Sequence, residues 1–473
     1  MTKNFYITTT LPYVNAAPHV GFASEIVYAD ARARFERLSG KDVVFNTGTD
    51  EHGSKIWQKA TEAGKDPQTY VDEYATKFDE LKNLLNLSYT HFIRTTDAHH
   101  ISAAQEMWRR VDANGFIYKK QYSVKYCVGC ELEKTDSELV DGECPLHPGK
   151  ELELIDEENY FFKFSAFGEK LLALYKNNPE FVMPHKRLNE IASFVEGGLQ
   201  DFSISRLKEK MPWGVAVPGD DDHVMYVWFD ALTNYISTIG WFDDEKNFEK
   251  FWGTTDAPNA IQIAGKDNLR QQSAMWQAML MAAELPTSKQ IFINGFIGVD
   301  GQKMSKSLGN VIAPKEMVEK YGVDGTRYLL LTKSNFGEDR DISWDKMTAK
   351  YNADLANGLG NLTARIITLA GDLQYDAEKI EHIDLAEDVN AMQMNHALEK
   401  VWERVTRANK FIEDNKPWEL RKNDEAKFTE VMVTLLQDLH TIAVALQPFM
   451  PESSEKIVSA LKTRERVILF GRI

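Results

Sequence analysis

Residues 5–22 read Phe5-Tyr6-Ile7-Thr8-Thr9-Thr10-Leu11-Pro12-Tyr13-Val14-Asn15-Ala16-Ala17-Pro18-His19-Val20-Gly21-Phe22. Phe5 to Thr10 is a short β-rich run, a Pro-punctuated loop follows, and then Phe22, Ile26, Ala29 and Ala33 recur at steps of four, three and four, the period of a helix. Gly40 closes that helix, and Val43 to Asn46 reads as the next buried strand. The first fifty residues therefore predict a strand–helix–strand unit of a parallel sheet, the opening of a nucleotide-type fold.

A second block of the same flavour lies far downstream: Ile261 to Ile263, then Gly265-Lys266-Asp267, a helical stretch through Trp276 to Ala283, and a strand at Ile291 to Asn294. The sheet is thus expected to be split in sequence. Between its halves, roughly Tyr118 to Gly219, sit all the cysteines, several acidic runs and Pro/Gly punctuation, the marks of an inserted subdomain. Beyond about residue 346 the strand signals fade. Leu398, Val401, Val405, Ala408 and Ile412 keep a helical period, as do Val431, Leu435, Leu439, Ile442 and Leu446, with Pro448 and Pro451 interrupting the second stripe. The expected organisation is a Rossmann-like α/β domain in two halves (1–117 and 220–297), an insertion (118–219), a stem region (298–345) and a helical domain (346–473).

Composition narrows the function. The 473 residues carry a formal charge of −16, with 43% hydrophobic and 27% charged residues, enough apolar material for large cores and against wholesale disorder. Charge-driven, non-specific nucleic-acid binding is disfavoured. Residues 346–473, however, hold 17 Lys and Arg against 20 Asp and Glu, so the helical block is nearly neutral and can approach RNA more easily than the rest. The longest apolar run, Ala278 to Ala283, is far shorter than the roughly 18 residues of a membrane helix, and the N-terminus lacks the pattern of a signal peptide; a cytoplasmic location and no membrane partner are expected.

Two loops carry chemistry. In Pro18-His19-Val20-Gly21 a strand hands over to a helix, where backbone N–H groups and the helix dipole favour an anion and His19 adds a side-chain donor. Alone, such a loop is more often a plain turn. Lys303-Met304-Ser305-Lys306-Ser307, in a Gly-rich stretch after the last predicted strand, places two lysines where both reach one polyphosphate. Neither of the usual phosphate loops, GxxxxGK[ST] or GxGxxG, occurs in the chain. Cys127-x-x-Cys130 followed by Cys144-x-x-His147 supplies three thiolates and an imidazole, the four ligands of tetrahedral zinc, and uses every cysteine in the chain. With four protein ligands no position stays open, so that metal would be structural.

His19 with Gly21, and Lys303-Met304-Ser305-Lys306-Ser307 after them, resemble the two signatures of class I aminoacyl-tRNA synthetases. Leu11-Pro12-Tyr13-Val14-Asn15-Ala16-Ala17-Pro18-His19, Asn46 to Gly53 (NTGTDEHG), Tyr226 to Tyr235 (YVWFDALTNY), Gly265-Lys266-Asp267 with Trp276, and Lys303 to Asn310 resemble the methionyl branch of that family. The resemblance implies an ATP-dependent ligase that activates L-methionine and charges tRNA(Met), with Mg accompanying ATP. It implies an ATP site at His19, Gly21, Asp267, Lys303 and Lys306, with His19, Lys303 and Lys306 catalytic. It further implies a methionine pocket of Leu11, Tyr13, Asp50, Trp228, Ala231, Tyr235 and Trp276, with Asp50 meeting the α-ammonium group. In the tail it assigns Asn361, Arg365 and Trp418 to the CAU anticodon, and in the insertion one structural zinc on Cys127, Cys130, Cys144 and His147. Some members carry a C-terminal dimerisation domain and the residues to Ile473 contain none, so a monomer is expected. Three departures stand out: Phe22 replaces a second histidine of the first signature, and Asn268 and Gln272 stand where relatives commonly have an apolar residue and a histidine.

Two other readings compete. Synthetases for leucine, isoleucine or valine share both signatures but usually carry a far larger editing insertion. A tRNA-binding paralogue with a decayed active site is motivated by Phe22, Asn268 and Gln272, and opposed by the intact lysine signature and Asp50.

Overall fold

A computed structural model describes residues 3–130, 132–134, 136–304, 309–332 and 334–473, and of Tyr122, Val124, Leu132, Glu133, Ser137, Ile155 and Lys303 the backbone alone. Its first strand, β1 (Asn4–Thr9), is buried from Phe5 on, as a strand covered on both faces must be. Helix α1 (Val20–Leu38) packs across it, and β2 (Asp42–Thr49) returns parallel, with Ile7 opposite Phe45. A third strand, β3 (His91–Arg94), continues outward from β2.

On its other side β1 pairs with Ala260–Gly265, in parallel, with Ile7 opposite Ile261. The strand Gln290–Asn294 follows, so the two predicted halves form one sheet with β1 and Ala260–Gly265 at its middle. From β1 the chain moves one way through the sheet and from Ala260–Gly265 it moves the other. That reversal opens a crevice outside the carboxyl ends of these two strands, where open α/β sheets bind ligands.

The sixth strand, Val182–Met183, pairs with Gln290–Asn294 although it lies inside the stretch read as an insertion. The excursion from 118 to 219 therefore returns to the central sheet part-way along. Two residues are too few to show a strand period, which is why the sequence hid it. The remainder of the excursion is built on a long antiparallel pair, Ile117–Cys127 with Glu153–Phe162.

After the strand Arg340–Ile342 the chain is helical. Helices Asn361–Ala370, Met394–Asn415, Glu425–Leu446 and Pro451–Thr463 pack together. Both predicted stripes are interior: Leu398, Val401, Val405, Ala408 and Ile412 on one helix, and Val431, Leu435, Leu439, Ile442 and Leu446 on another, are all buried. Glu425–Leu446 is long and apolar enough to cross a membrane by composition, yet most of that apolar surface is packed against neighbouring helices. Pro417 and Pro451 each begin a new helix, where a missing N–H costs nothing.

Candidate active site and metal centre

The loop after β1 is zipped to the loop after β2. Asp50 N donates to Pro12 O at 3.0 Å and Val14 N to Asp50 O at 3.2 Å, which extends the strand pairing by one bridge between Tyr13 and Asp50. Asp50 is thereby fixed at the floor of the crevice, 2% exposed. Tyr13 is held from its tip, its hydroxyl donating to His52 O at 2.7 Å.

Trp228 and Ala231 come from the short helix Val227–Ala231, and Tyr235 from the turn after it. The Tyr235 ring lies 5.8 Å from that of Trp276, which in turn meets Trp252 edge-on at 6.1 Å. Trp276 is fully buried, the back of this wall. Gln272 sits against it, accepting from the Tyr235 hydroxyl at 2.9 Å. Among the described residues, the Gln272 amide NH2 and the Trp228 and Trp276 indole N–H groups are buried without a hydrogen-bond partner. Donors buried this way carry a desolvation cost.

Gln272 belongs to a π-helical turn, Gln271–Met275, that precedes the helix Trp276–Ala282. The sequence predicts only a helix here. π-turns of this kind cluster at functional sites, because one extra residue re-aims the side chains that follow.

At the turn into α1 two backbone amides are already engaged. Val20 N donates to Ile312 O at 3.0 Å and Gly21 N to His19 Nδ1 at 3.0 Å, so these two amides of the α1 N-terminus already have acceptors. His19 Nδ1 is thus the acceptor that closes this turn, and the His19 residue is exposed. Gly21 earns its place sterically: a Cβ there would lie 2.7 Å from His19 Cε1. The same Cβ position is 3.7 Å from Met304 Cε, so the first signature abuts the second. Lys303 lies in the two-residue strand Gln302–Lys303 paired with Ile297–Val299; its side chain is not described, and Lys306 lies outside the described residues. Asp267 is exposed in the turn after Ala260–Gly265. Lys266 beside it is spent on Asp339, at 2.6 and 2.8 Å.

Glu25, on α1, has no counterpart in the sequence reading. Its carboxyl accepts from Thr10 N at 2.9 Å and from the Thr10 hydroxyl at 2.5 Å, holding the turn that leads into Leu11. Burial is the main reason its pKa rises to about 8, with the nearby Asp267 charge adding to it against the two Thr10 bonds.

In the insertion Cys127, Cys130, Cys144 and His147 converge, their ligand atoms all within 4.8 Å of one another. Cys130 Sγ is 3.4 Å from Cys144 Sγ and 3.3 Å from His147 Nδ1. Gly129 leaves the room for this, since a Cβ there would meet the His147 ring at 2.6 Å. The donor set and its spacing fit a divalent metal. Next to Cys127, Tyr126 and Val128 pack with Tyr226 and Val227 against Tyr13 and Trp228, so the centre borders the aromatic pocket.

In the helical block, Arg365 reaches across to Glu413 at 2.7 Å and lies 5.8 Å over the Trp418 ring. Trp418 is 38% exposed and Asn361 stands one turn before Arg365, also exposed.

Residues 5–154 and 147–367 match the family model "tRNA synthetases class I (M)", and residues 360–468 match "Anticodon binding domain of methionyl tRNA ligase". The chain belongs to the methionine–tRNA ligase family. Among its curated relatives, the methionine–tRNA ligase of Caldanaerobacter subterraneus subsp. tengcongensis is 40% identical over 98% of this chain and 75% of its own length. That of Brucella suis is 40% identical over 97% of this chain and 92% of its own. A Mycobacterium tuberculosis methionyl-tRNA synthetase solved in complex with methionyl-adenylate superimposes with a TM-score of 0.89 at 39% identity, covering 97% of this chain and 93% of that one. The α/β-then-helical architecture of this family member agrees with those structures.

Proposed function

We propose that the crevice activates L-methionine with ATP and passes the methionyl group to tRNA(Met). The observation that carries this is the grouping, at one strand-order reversal, of a buried acidic floor (Asp50), an aromatic pocket (Tyr13, Trp228, Tyr235, Trp276, with Leu11 and Ala231) and the His19 turn, which abuts Met304. Asp50 meets the α-ammonium group. The rings surround the thioether, where sulfur–aromatic contacts contribute about 0.3–1.5 kcal/mol each. The methionine carboxylate attacks the α-phosphorus of ATP in line and pyrophosphate leaves.

No protein nucleophile takes part. The chain's contribution is positioning and charge: His19 donates to the phosphates, Asp267 holds a ribose hydroxyl, and Lys303 and Lys306 stabilise the departing pyrophosphate. Mg bound to ATP supplies further charge neutralisation. We assign zinc to Cys127, Cys130, Cys144 and His147; four protein ligands leave no open position, so its role is to hold the insertion in shape. Asn361, Arg365 and Trp418 form the anticodon contact, where an exposed ring can stack an unpaired base and the guanidinium and amide can hydrogen-bond to it. The enzyme acts as a cytoplasmic monomer.

Charging of tRNA(Met) transcripts tests the whole assignment. Wild-type protein charges the CAU transcript with methionine and discriminates against altered anticodons, whereas Trp418→Ala loses that discrimination while keeping adenylate formation. Equal charging of CAU and altered transcripts by wild-type protein contradicts the anticodon assignment.

A further inference from the structure

Asp230 lies in the helix Val227–Ala231, between Trp228 and Ala231, and its side chain is fully buried. Its two carboxylate oxygens are shared by two buried histidines: Oδ2 lies 2.7 Å from His52 Nδ1 and Oδ1 2.8 Å from His100 Nε2. His52 follows Asp50 by two residues, and its carbonyl is the acceptor for the Tyr13 hydroxyl. Its ring stands edge-on to Trp213 at 5.5 Å, while the Trp213 indole N–H donates to Glu51 O at 2.6 Å. His100, on the helix Ala98–Ala113, presents Nδ1 to the Ser237 hydroxyl at 3.0 Å, two residues beyond Tyr235.

One carboxylate thus joins three segments far apart in sequence: the Asp50 loop through His52, the pocket helix that carries Asp230 itself, and the helix Ala98–Ala113, whose His100 reaches on to Ser237 just beyond Tyr235. Burial pushes the Asp230 carboxyl up, but His52 and His100 outweigh it and hold the group at about 2, so it stays charged at neutral pH. A charge kept in an apolar interior is poor economy for stability alone, since well-packed apolar residues usually serve as well. What it supplies is geometry. A carboxylate receiving two ring N–H donors fixes the tautomer and tilt of both imidazoles.

We propose that Asp230 is a positioning residue for amino-acid recognition: through His52 and His100 it sets the Asp50 carboxylate against the wall of Trp228, Ala231 and Tyr235, and so determines methionine affinity without touching the substrate. This rests on the reading of that crevice as the methionine site.

The test is ATP–pyrophosphate exchange on the full chain, with melting curves run beside it. Asp230→Asn and His52→Leu raise KM for methionine by about tenfold or more, the size expected for losing a charge-assisted bond. Their kcat and KM for ATP stay within about twofold of wild type, the mark of lost binding rather than lost chemistry. His52→Asn, whose amide can place a donor near the Nδ1 position, restores the wild-type KM. Folded variants with unchanged KM for methionine, or with kcat and both KM values impaired alike, overturn the proposal, as does a His52→Asn variant no better than His52→Leu. Should the substitutions prevent folding, imidazole ¹H–¹⁵N spectra of the unmodified protein decide: the His52 N–H signal shifts on adding methionine if the network shapes that site, and an unmoved signal overturns it. Wild-type protein that exchanges nothing with methionine instead overturns the ligase reading itself.

Discussion

Replacing Arg327 with methionine should loosen the helical block from the nucleotide fold. The Arg327 and Asp30 side chains are both 0% exposed and meet at 2.7 Å. The guanidinium also donates to Phe449 O at 2.8 Å, Pro448 O at 3.2 Å and Leu85 O at 3.1 Å, so one residue ties α1, the loop before β3 and the turn between two C-terminal helices. Burial on its own would push the Asp30 carboxyl up; Arg327 and then Arg34 hold it below its ordinary value. Methionine fills similar space and removes the charge. Breaking a buried pair from one side costs about 3–5 kcal/mol. Asp30 keeps Arg34 at 2.8 Å and two bonds from Ser88, which favours the lower end for the carboxylate. The stranded carbonyls add to it, giving about 4 kcal/mol in all. Thermal unfolding should begin roughly 10 °C earlier, and tRNA charging should fall more than pyrophosphate exchange. Arg327→Met/Asp30→Asn should recover part of the loss, because the fully buried carboxylate is gone and the cation left without it, Arg34, is partly exposed to water. An unfolding midpoint within about 2 °C of wild type would refute the reasoning.

Glu25→Gln probes the raised carboxyl next to Thr10. Because the folded pKa lies above the unfolded one, stability is fully present below about 4.5 and is lost as pH climbs towards about 8. The wild-type protein should weaken over that window relative to Glu25→Gln by up to about 1.4 kcal/mol per pH unit, read from urea midpoints; parallel pH profiles would contradict it. Gly129→Ala should displace the His147 ring and cut metal retention on dialysis, with chelators unfolding the insertion first; full metal content measured by atomic absorption would count against the assigned ligand set. Lys306→Ala should slow adenylate formation by about a hundredfold while methionine binding, followed by tryptophan fluorescence, stays near wild type, and an equal loss of both would remove Lys306 from the phosphate role.

Local patterns carried the parts of this fold that repeat or cluster along the chain. The β1–α1–β2 unit, the two helical stripes and the Cys/His cluster all lie within short windows, so period and spacing suffice. The family resemblance then assigned Asp50, the pocket rings and Trp418, and the structure groups Asp50 with those rings and sets Arg365 beside Trp418. What stayed hidden depends on distance in sequence. Asp230 meets His52 and His100 across 178 and 130 residues, and Arg340 reaches Tyr28 across 312. Glu25 carries no signal because helix α1 is encased nearly all round, burying Glu25, Asp30, Arg32 and Glu36 alongside its apolar residues. Polar periodicity cannot mark a helix that has no wet face. The π-turn at Gln271–Met275 and the two-residue strand Val182–Met183 fall below the length at which a period can be recognised.

ATP–pyrophosphate exchange with each standard amino acid tests the central claim most directly, because it asks only whether this crevice forms an aminoacyl-adenylate and on which side chain. Exchange with methionine alone, at normal efficiency with Gln272 in the pocket, is the expected result. Folded, metal-replete protein that exchanges with none of them, or with another apolar amino acid in preference to methionine, would contradict it.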